Sequence, residues 1–278
     1  MTQQLHLGVA LDGYGWDPQA WRATLASDRD TAPVLSGRYW AGLAATAECG
    51  LLDFLTIEDT LMPQPGRRER ISPQRLAGRG DAVLVAARIA PVTRHIGLIP
   101  VATVTHTEPF HVSKAIATLD YVSHGRAGWQ PRVSSTTHEA ALFGRREGSL
   151  DGLFEEAVDY VEVVRQLWDS WEDDAIIRDV TTGRYVDVDK LHYIDFAGKF
   201  FSVKGPSITP RPPQGQPVVA VLAHSGPVYE FAATSGDVVF ITPTDDASVR
   251  SIIDEVRVAG GTDLKVFADV LVSFDGPG

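Results

Sequence analysis

Short apolar runs rich in β-branched residues alternate with longer stretches whose apolar positions recur every three or four residues. That alternation predicts parallel strands joined by helices. The first strand is read at LHLGVAL, residues 5 to 11, and a long polar connection follows. Ser36 then caps a helix through GRYWAGLAATAECG that Gly50 closes. Next come the strand LDFLTIED (52 to 59), a basic loop with RRER, a helix through DAVLVAARIAPV and the strand IGLIPVATV (96 to 104). EPFHVSKAIATLDYVS sets Phe110, Ala115, Ile116, Leu119 and Val122 near one helical face, and RAGWQPRVSS (126 to 135) is the fourth strand. In the longest helix, DGLFEEAVDYVEVVRQLWDSW, the apolar stripe is Phe154, Ala157, Val161, Val164 and Trp168.

The rhythm breaks at residues 172 to 216, where EDDAIIRDVTTGRYVDVDK is polar and HYIDFAGKFFSVKGP alternates around Ala197-Gly198 like a hairpin. This reads as an insertion in a single domain covering 1 to 278. After PRPPQGQP the alternation resumes with the strand PVVAVLAHS (217 to 225), a short helix to Gly236, the strand DVVFITP, the helix SVRSIIDEVRVAGG and the strand LKVFADVLVSF. Seven strands outside the hairpin and six intervening helices are expected. An eight-stranded parallel barrel usually takes about 250 residues, and roughly 60 residues here go to the insertion and the early loop. The barrel is therefore expected to stop near strand seven. Two open edges would invite pairing with another chain, so a homo-oligomer, or a partner polypeptide supplying the missing units, is expected.

Charge narrows the partners. The formal net charge is -11, from 36 acidic and 25 basic residues, and that field repels phosphate backbones and anionic lipid. Neither nucleic acid nor a membrane is expected as a partner. Cys49 is the single cysteine, so no intrachain disulfide forms, and its place in an alanine-rich helix reads as a buried, inert thiol. The first residues pass directly into a strand without a basic region and long apolar stretch, which points to the cytoplasm.

In parallel barrels the chemistry sits at the C-terminal ends of the strands. Those positions hold Asp12 to Trp16, Glu58 and Asp59, Thr105 and His106, Gln130 to Ser135, and His224 to Gly226. At His224-Ser225-Gly226 a strand gives way to a helix, whose free N–H groups and dipole suit a phosphate; Ser225 serves equally as a plain N-cap. Asp59 ends an apolar strand, where a carboxylate can bond a heterocycle or cap a helix. His106, Glu108 and His111 raise a metal reading, but Pro109 interrupts the spacing and no metal is expected. Glu172, Asp173 and Asp174 read as a solvated helix end, and Arg67, Arg68 and Arg70 as a solvated loop cluster able to meet a cofactor phosphate. No G-x-G-x-x-G after a strand, P-loop lysine motif or G-x-S-x-G is present, which argues against a Rossmann dinucleotide crevice, NTP hydrolysis and α/β-hydrolase chemistry.

The segments LLDFLTIEDT, TEPFHVSKAIATLDYVSHGRAGW, LWDSWEDDA, DVDKLHYIDFAGKFFSVKGP and PQGQPVVAVLAHS lie in order from about residue 51 to 241, preceded by GYGWDPQAWR. Together they resemble the bacterial-luciferase-like flavin monooxygenases, in the branch of nitrilotriacetate, dibenzothiophene-sulfone and long-chain-alkane monooxygenases. The resemblance implies a TIM-like (β/α) barrel with an insertion after the fourth unit, and reduced FMN supplied by a separate NAD(P)H:FMN reductase. It also implies that O2 adds to the flavin, which then oxygenates a small organic substrate. By the same resemblance Asp59 and Thr105 lie near the isoalloxazine ring. Three positions depart from the family pattern. Gln130 stands where asparagine is usual, Phe154 where a tyrosine hydroxyl is common, and His224-Ser225 in place of a pair of serines, with Gly226 following. His106 and His224 are the candidates for proton transfer or stabilisation of the oxygenated flavin. Related barrels bind the deazaflavin F420, which leaves an F420-dependent oxidoreductase as one alternative, and a non-catalytic flavin-binding remnant as the other.

Overall fold

The computed structural model describes residues 5–17, 19–27, 32–62, 72–144 and 150–272, without the side chains of 150 and 151. The Arg67, Arg68 and Arg70 cluster lies outside the described residues. The chain divides into two units, Met1–Pro217 and Val218–Gly278.

In the first unit the strands are β1 (Gly8–Leu11), β2 (Phe54–Ile57), β3 (Gly97–Thr103) and β4 (Gly128–Arg132). The helices are α1 (Ala20–Ser27), α2 (Gly37–Cys49), α3 (Ala82–Ile89), α4 (Pro109–Ser123), α5 (Thr137–Phe143) and α6 (Leu150–Trp168). β1 pairs in parallel with β2, β2 with β3 and β3 with β4, so spatial order follows chain order. Such a sheet winds in one direction and lacks the reversal at which doubly wound folds bind dinucleotides. After α6 come two antiparallel pairs, β5 (Ile176–Asp179) with β6 (Arg184–Val186) and β7 (Phe196–Ala197) with β8 (Ser202–Val203). The second of these is the hairpin expected around Ala197-Gly198. The second unit repeats the parallel pattern with β9 (Val218–Ala223), α7 (Gly226–Ser235), β10 (Val238–Ile241), α8 (Asp246–Val258) and β11 (Lys265–Ala268), in the order β9-β10-β11.

Local sequence explains most boundaries. The Ser36 hydroxyl accepts from the Tyr39 N–H at the start of α2 and Gly50 ends that helix, as read from the sequence. Asp81 caps α3 through the Leu84 N–H, and Asp245 and Ser248 form a reciprocal capping box on α8. Ala157, Val161, Val164 and Trp168 of the expected α6 stripe are buried, joined by Tyr160, Val163 and Leu167, while Phe154 is half-buried. In the second unit Val219, Ala220, Ala232, Val239 and Ile241 form the core.

Four sequence expectations differ from the structure. β1 begins at Gly8 because Leu5 and Leu7 are exposed. The inward face of α4 is not wholly apolar: Ile116 and Leu119 of the expected face are buried, but so are Ser113, Asp120 and Ser123, and Val122 is exposed. Hydrogen bonds draw that face inward, since the Trp168 indole donates to the Ser113 carbonyl at 3.0 Å and Asp120 takes up backbone donors. Cys49 is exposed, lying in the last turn of α2 on its solvent side. α1, α5 and the β5–β6 hairpin were not anticipated, being short and weakly patterned. Among the described residues, no helix is long and apolar enough to cross a membrane.

Candidate functional site

The apolar alternation of β2 stops at Glu58 and Asp59, and charge takes over at the C-terminal strand ends of the first unit. Arg132, the last residue of β4, donates from Nη1 to Glu58 at 3.2 Å and to the carbonyl of Asp59. Because β3 lies between β2 and β4, this contact reaches over the end of β3. Arg79 lies 3.6 Å from the same Glu58 oxygen and donates to Asp12 after β1 at 2.7 Å. Burial pushes the Glu58 carboxyl above its ordinary range, against the pull of Arg132 and Arg79.

Asp59 uses both oxygens on backbone: one accepts from the Thr60 N–H at 2.6 Å, the other from the Ala82 N–H of α3 at 3.0 Å. Burial raises its pKa and these two donors oppose the rise. The carboxylate therefore ties the exit of β2 to the first turn of α3. From Thr60 the network continues through its hydroxyl to Glu139 at 2.9 Å, then to the Ser134 hydroxyl. The Ser134 N–H donates to the Thr105 hydroxyl at 2.9 Å. Glu139 is 1% exposed; burial alone would raise its pKa, but Ser134, Thr60, Arg132 and the Leu61 N–H together bring it below the ordinary range.

The structure thus connects Asp59 and Thr105 through Glu139, with the Thr105 hydroxyl committed to the turn after β4. Gln130 is buried on β4 opposite Val101 of β3, and Phe154 is half-buried on α6. His106 ends the β3 segment with a left-handed backbone, φ 70°, and its ring stacks on Phe143 at 5.2 Å and 17°. Left-handed backbone is uncommon outside glycine, and such positions cluster at functional sites. Sequence reasoning missed Arg79 and Glu139, and placed Arg132 at a strand end within Gln130 to Ser135 without giving it a role. Two signals were available: an arginine closing the otherwise uncharged strand GWQPR, and the T-x-x-E spacing of Thr136 and Glu139 that starts α5, where the Thr136 hydroxyl accepts from the Glu139 N–H at 3.2 Å.

In the second unit β9 delivers His224, Ser225 and Gly226 to the start of α7. His224 Nδ1 lies 2.8 Å from the Thr242 hydroxyl, after β10. Ser225 occupies the N-cap position in extended conformation, but its side chain makes no capping hydrogen bond. A Cβ built on Gly226 meets nothing within 4 Å, so a side chain at this position would enter open space. Among the described residues, no group of three or more His, Cys, Asp or Glu side chains is arranged to hold a metal, the trio His106, Glu108 and His111 included.

Residues 22–275 match the model of the luciferase-like monooxygenase family, a span that takes in most of both units. The chain belongs to that family. It is 35% identical over 256 residues to the N-acetyl-S-(2-succino)cysteine monooxygenase of Bacillus subtilis strain 168, covering 92% of this chain and 56% of that protein. It is 34% identical over 265 residues to nitrilotriacetate monooxygenase component A of Aminobacter aminovorans, covering 92% and 58%. The chain therefore spans a little over half the length of these relatives. Among solved structures, a riboflavin lyase with modified FMN and riboflavin superposes with a TM-score of 0.83 at 28% identity, over 96% of this chain and 62% of that one. The fold class is the luciferase-like (β/α) barrel with an insertion after the fourth β/α unit, as the sequence resemblance implied.

Proposed function

We propose that this luciferase-like chain acts in a two-component flavin-dependent monooxygenase that takes reduced FMN from a separate NAD(P)H:flavin reductase and uses O2 to oxygenate a small organic substrate. The observation that carries the reading is the uncapped helix start at Ser225-Gly226, at a strand's C-terminal end in a chain of this family. Backbone N–H groups there suit the dianionic phosphate of FMN, and the open space at Gly226 admits it without displacing a side chain. Taken by itself, the first unit carries Asp59 and Gln130 at its strand ends, polar groups that the family resemblance associates with a flavin ring. Thr105 holds the turn that carries Ser134, and Phe154 offers an apolar face. Bound reduced flavin supplies the electrons that activate O2. The chain supplies position, exclusion of water and protons. With Nδ1 engaged by Thr242, His224 offers Nε2 for proton transfer, and His106 is the second such candidate.

Gly226→Asp tests this directly. The added side chain meets no protein atom near its Cβ, so the fold is retained, while its charge opposes a phosphate. FMN affinity should fall by roughly tenfold or more, the loss expected of a charged hydrogen-bonding site, with riboflavin affinity unchanged. Equal affinities of parent and variant for FMN would refute the assignment. Saturable binding of F420 in place of FMN, with no O2 consumed when a reductase is added, would replace the monooxygenase with a hydride-transferring enzyme.

A further inference from the structure

Arg132 carries more than its ion pair requires. Its two hydrogen bonds both leave from Nη1, to Glu58 and to the Asp59 carbonyl, and they fix the plane of the guanidinium. Among the described residues, no acceptor takes the N–H groups on its Nε and Nη2. That edge is the one with which arginine grips a carboxylate or sulfonate through two parallel hydrogen bonds. The side chain is 34% exposed, so the edge is reachable while the opposite side is held. The neighbouring Arg79 is 12% exposed, and its Nε is buried with no acceptor among the described residues. Two arginines share one Glu58 oxygen, and the carboxylates of Asp59 and Glu139 are occupied by backbone and hydroxyl donors. Among the described residues, the cluster therefore offers more N–H donors than there are acceptors to take them.

We propose that Arg132 determines substrate specificity in this chain by binding an oxyanion, a carboxylate or sulfonate, on the molecule to be oxygenated. This rests on the monooxygenase reading for the word substrate, but anion binding itself does not. The same chemistry could serve the flavin phosphate, and the experiment separates the two.

The full chain is titrated calorimetrically with succinate, methanesulfonate and the uncharged succinamide, and separately with FMN and riboflavin, in the parent, Arg132→Gln and Arg132→Lys proteins. Expected are saturable binding of at least one anion by the parent, none of succinamide, and a loss of roughly tenfold or more in Arg132→Gln, as for a charged hydrogen bond. Arg132→Lys keeps the charge without the two-pronged edge and should show an intermediate loss; it also serves if Arg132→Gln does not fold. Flavin affinities should be unchanged in both variants. The proposal is overturned if neither anion saturates the parent, if the variants bind anions as the parent does, or if Arg132→Gln loses FMN while keeping riboflavin, which would assign Arg132 to the flavin phosphate. If the parent bound the anions through Arg132 but no flavin at all, the anion site would stand and the monooxygenase reading would fall.

Discussion

The two ends of the parallel strands in the first unit use charged residues in opposite ways. At the N-terminal ends, polar side chains are spent on backbone. One Glu48 oxygen accepts from the N–H groups of Arg94, His95 and Ile96 before β3. Arg126, just before β4, donates to the carbonyls of Ala90, Thr93, Ile96 and Ser123. Asp120 accepts from the Ala127 and Gln214 N–H groups and from the Gln214 side chain. At the C-terminal ends, Asp12, Arg79, Glu58 and Arg132 bond chiefly to one another and leave donors over. The first arrangement closes loops; the second keeps hydrogen-bonding capacity in reserve, which is what a binding face requires. The carboxyl groups record the difference. Burial would raise Glu48, but its three N–H donors bring it below the ordinary range, whereas burial prevails at Glu58 and Asp59. Glu139, pulled down by three hydrogen-bond donors and the charge of Arg132, is a structural carboxylate standing on the binding face.

The largest effect should come from breaking the N-terminal arrangement. Asp120 is fully buried, and Asp120→Ala leaves three N–H donors without their acceptor. Each such loss costs about 1–3 kcal/mol, so a total of about 3 kcal/mol or more is expected in urea unfolding. A cost under about 1 kcal/mol would mean that water replaces the lost acceptor and that this end is not the stability face argued above.

A smaller effect is expected at the other end, and on binding. Asp59→Asn keeps an oxygen for one of the two backbone donors, turns an NH2 group toward the other and loses the charge, so it should lower flavin affinity about tenfold at a cost of about 1 kcal/mol in stability. Asp59→Ala should add about 1 kcal/mol of destabilisation, since it releases the first N–H of α3. Loss of stability in Asp59→Asn with flavin binding intact would make Asp59 a structural residue, like Glu48.

The smallest effect is a difference in sign. Glu48 is depressed in the folded protein, so its contribution is present above the unfolded value and lost as pH falls through the folded one. Asp59 is raised, so the native state binds the proton more readily and stability declines as pH rises from the unfolded value to the folded one. Glu48→Gln should flatten the acid limb below the ordinary glutamate value of about 4.3, and Asp59→Asn should remove a decline that begins near the ordinary aspartate value of about 3.9. Both amounts should stay below about 1 kcal/mol, because solvent screens the first and backbone donors offset the second. Unfolding free energies measured from pH 3 to 7 give the two slopes, and slopes of the same sign would dissolve the contrast between the ends.

Hydrophobic periodicity by itself determined the strand and helix order, because burial against a parallel sheet imposes period and length on every element that contributes. It therefore gave the seven parallel strands, the caps at Ser36 and Gly50 and the stripe of α6. The strand ends at Asp59, Thr105, Gln130 and Ser225 could be named because they follow from where the apolar runs stop. The tertiary structure alone decided what those residues touch. Only the adjacency of β2, β3 and β4 brings Arg132 to Glu58 across 74 residues of chain, and Glu139 to Thr60 across 79. Ser113 and Asp120 likewise share the inward face of α4 with Ile116 and Leu119, since hydrogen-bond partners from the end of α6 and the segment before β9 make their burial favourable. Periodicity records how much surface a residue hides. The partner that a buried charge finds depends on contacts between distant segments, and the local pattern carries no information about those.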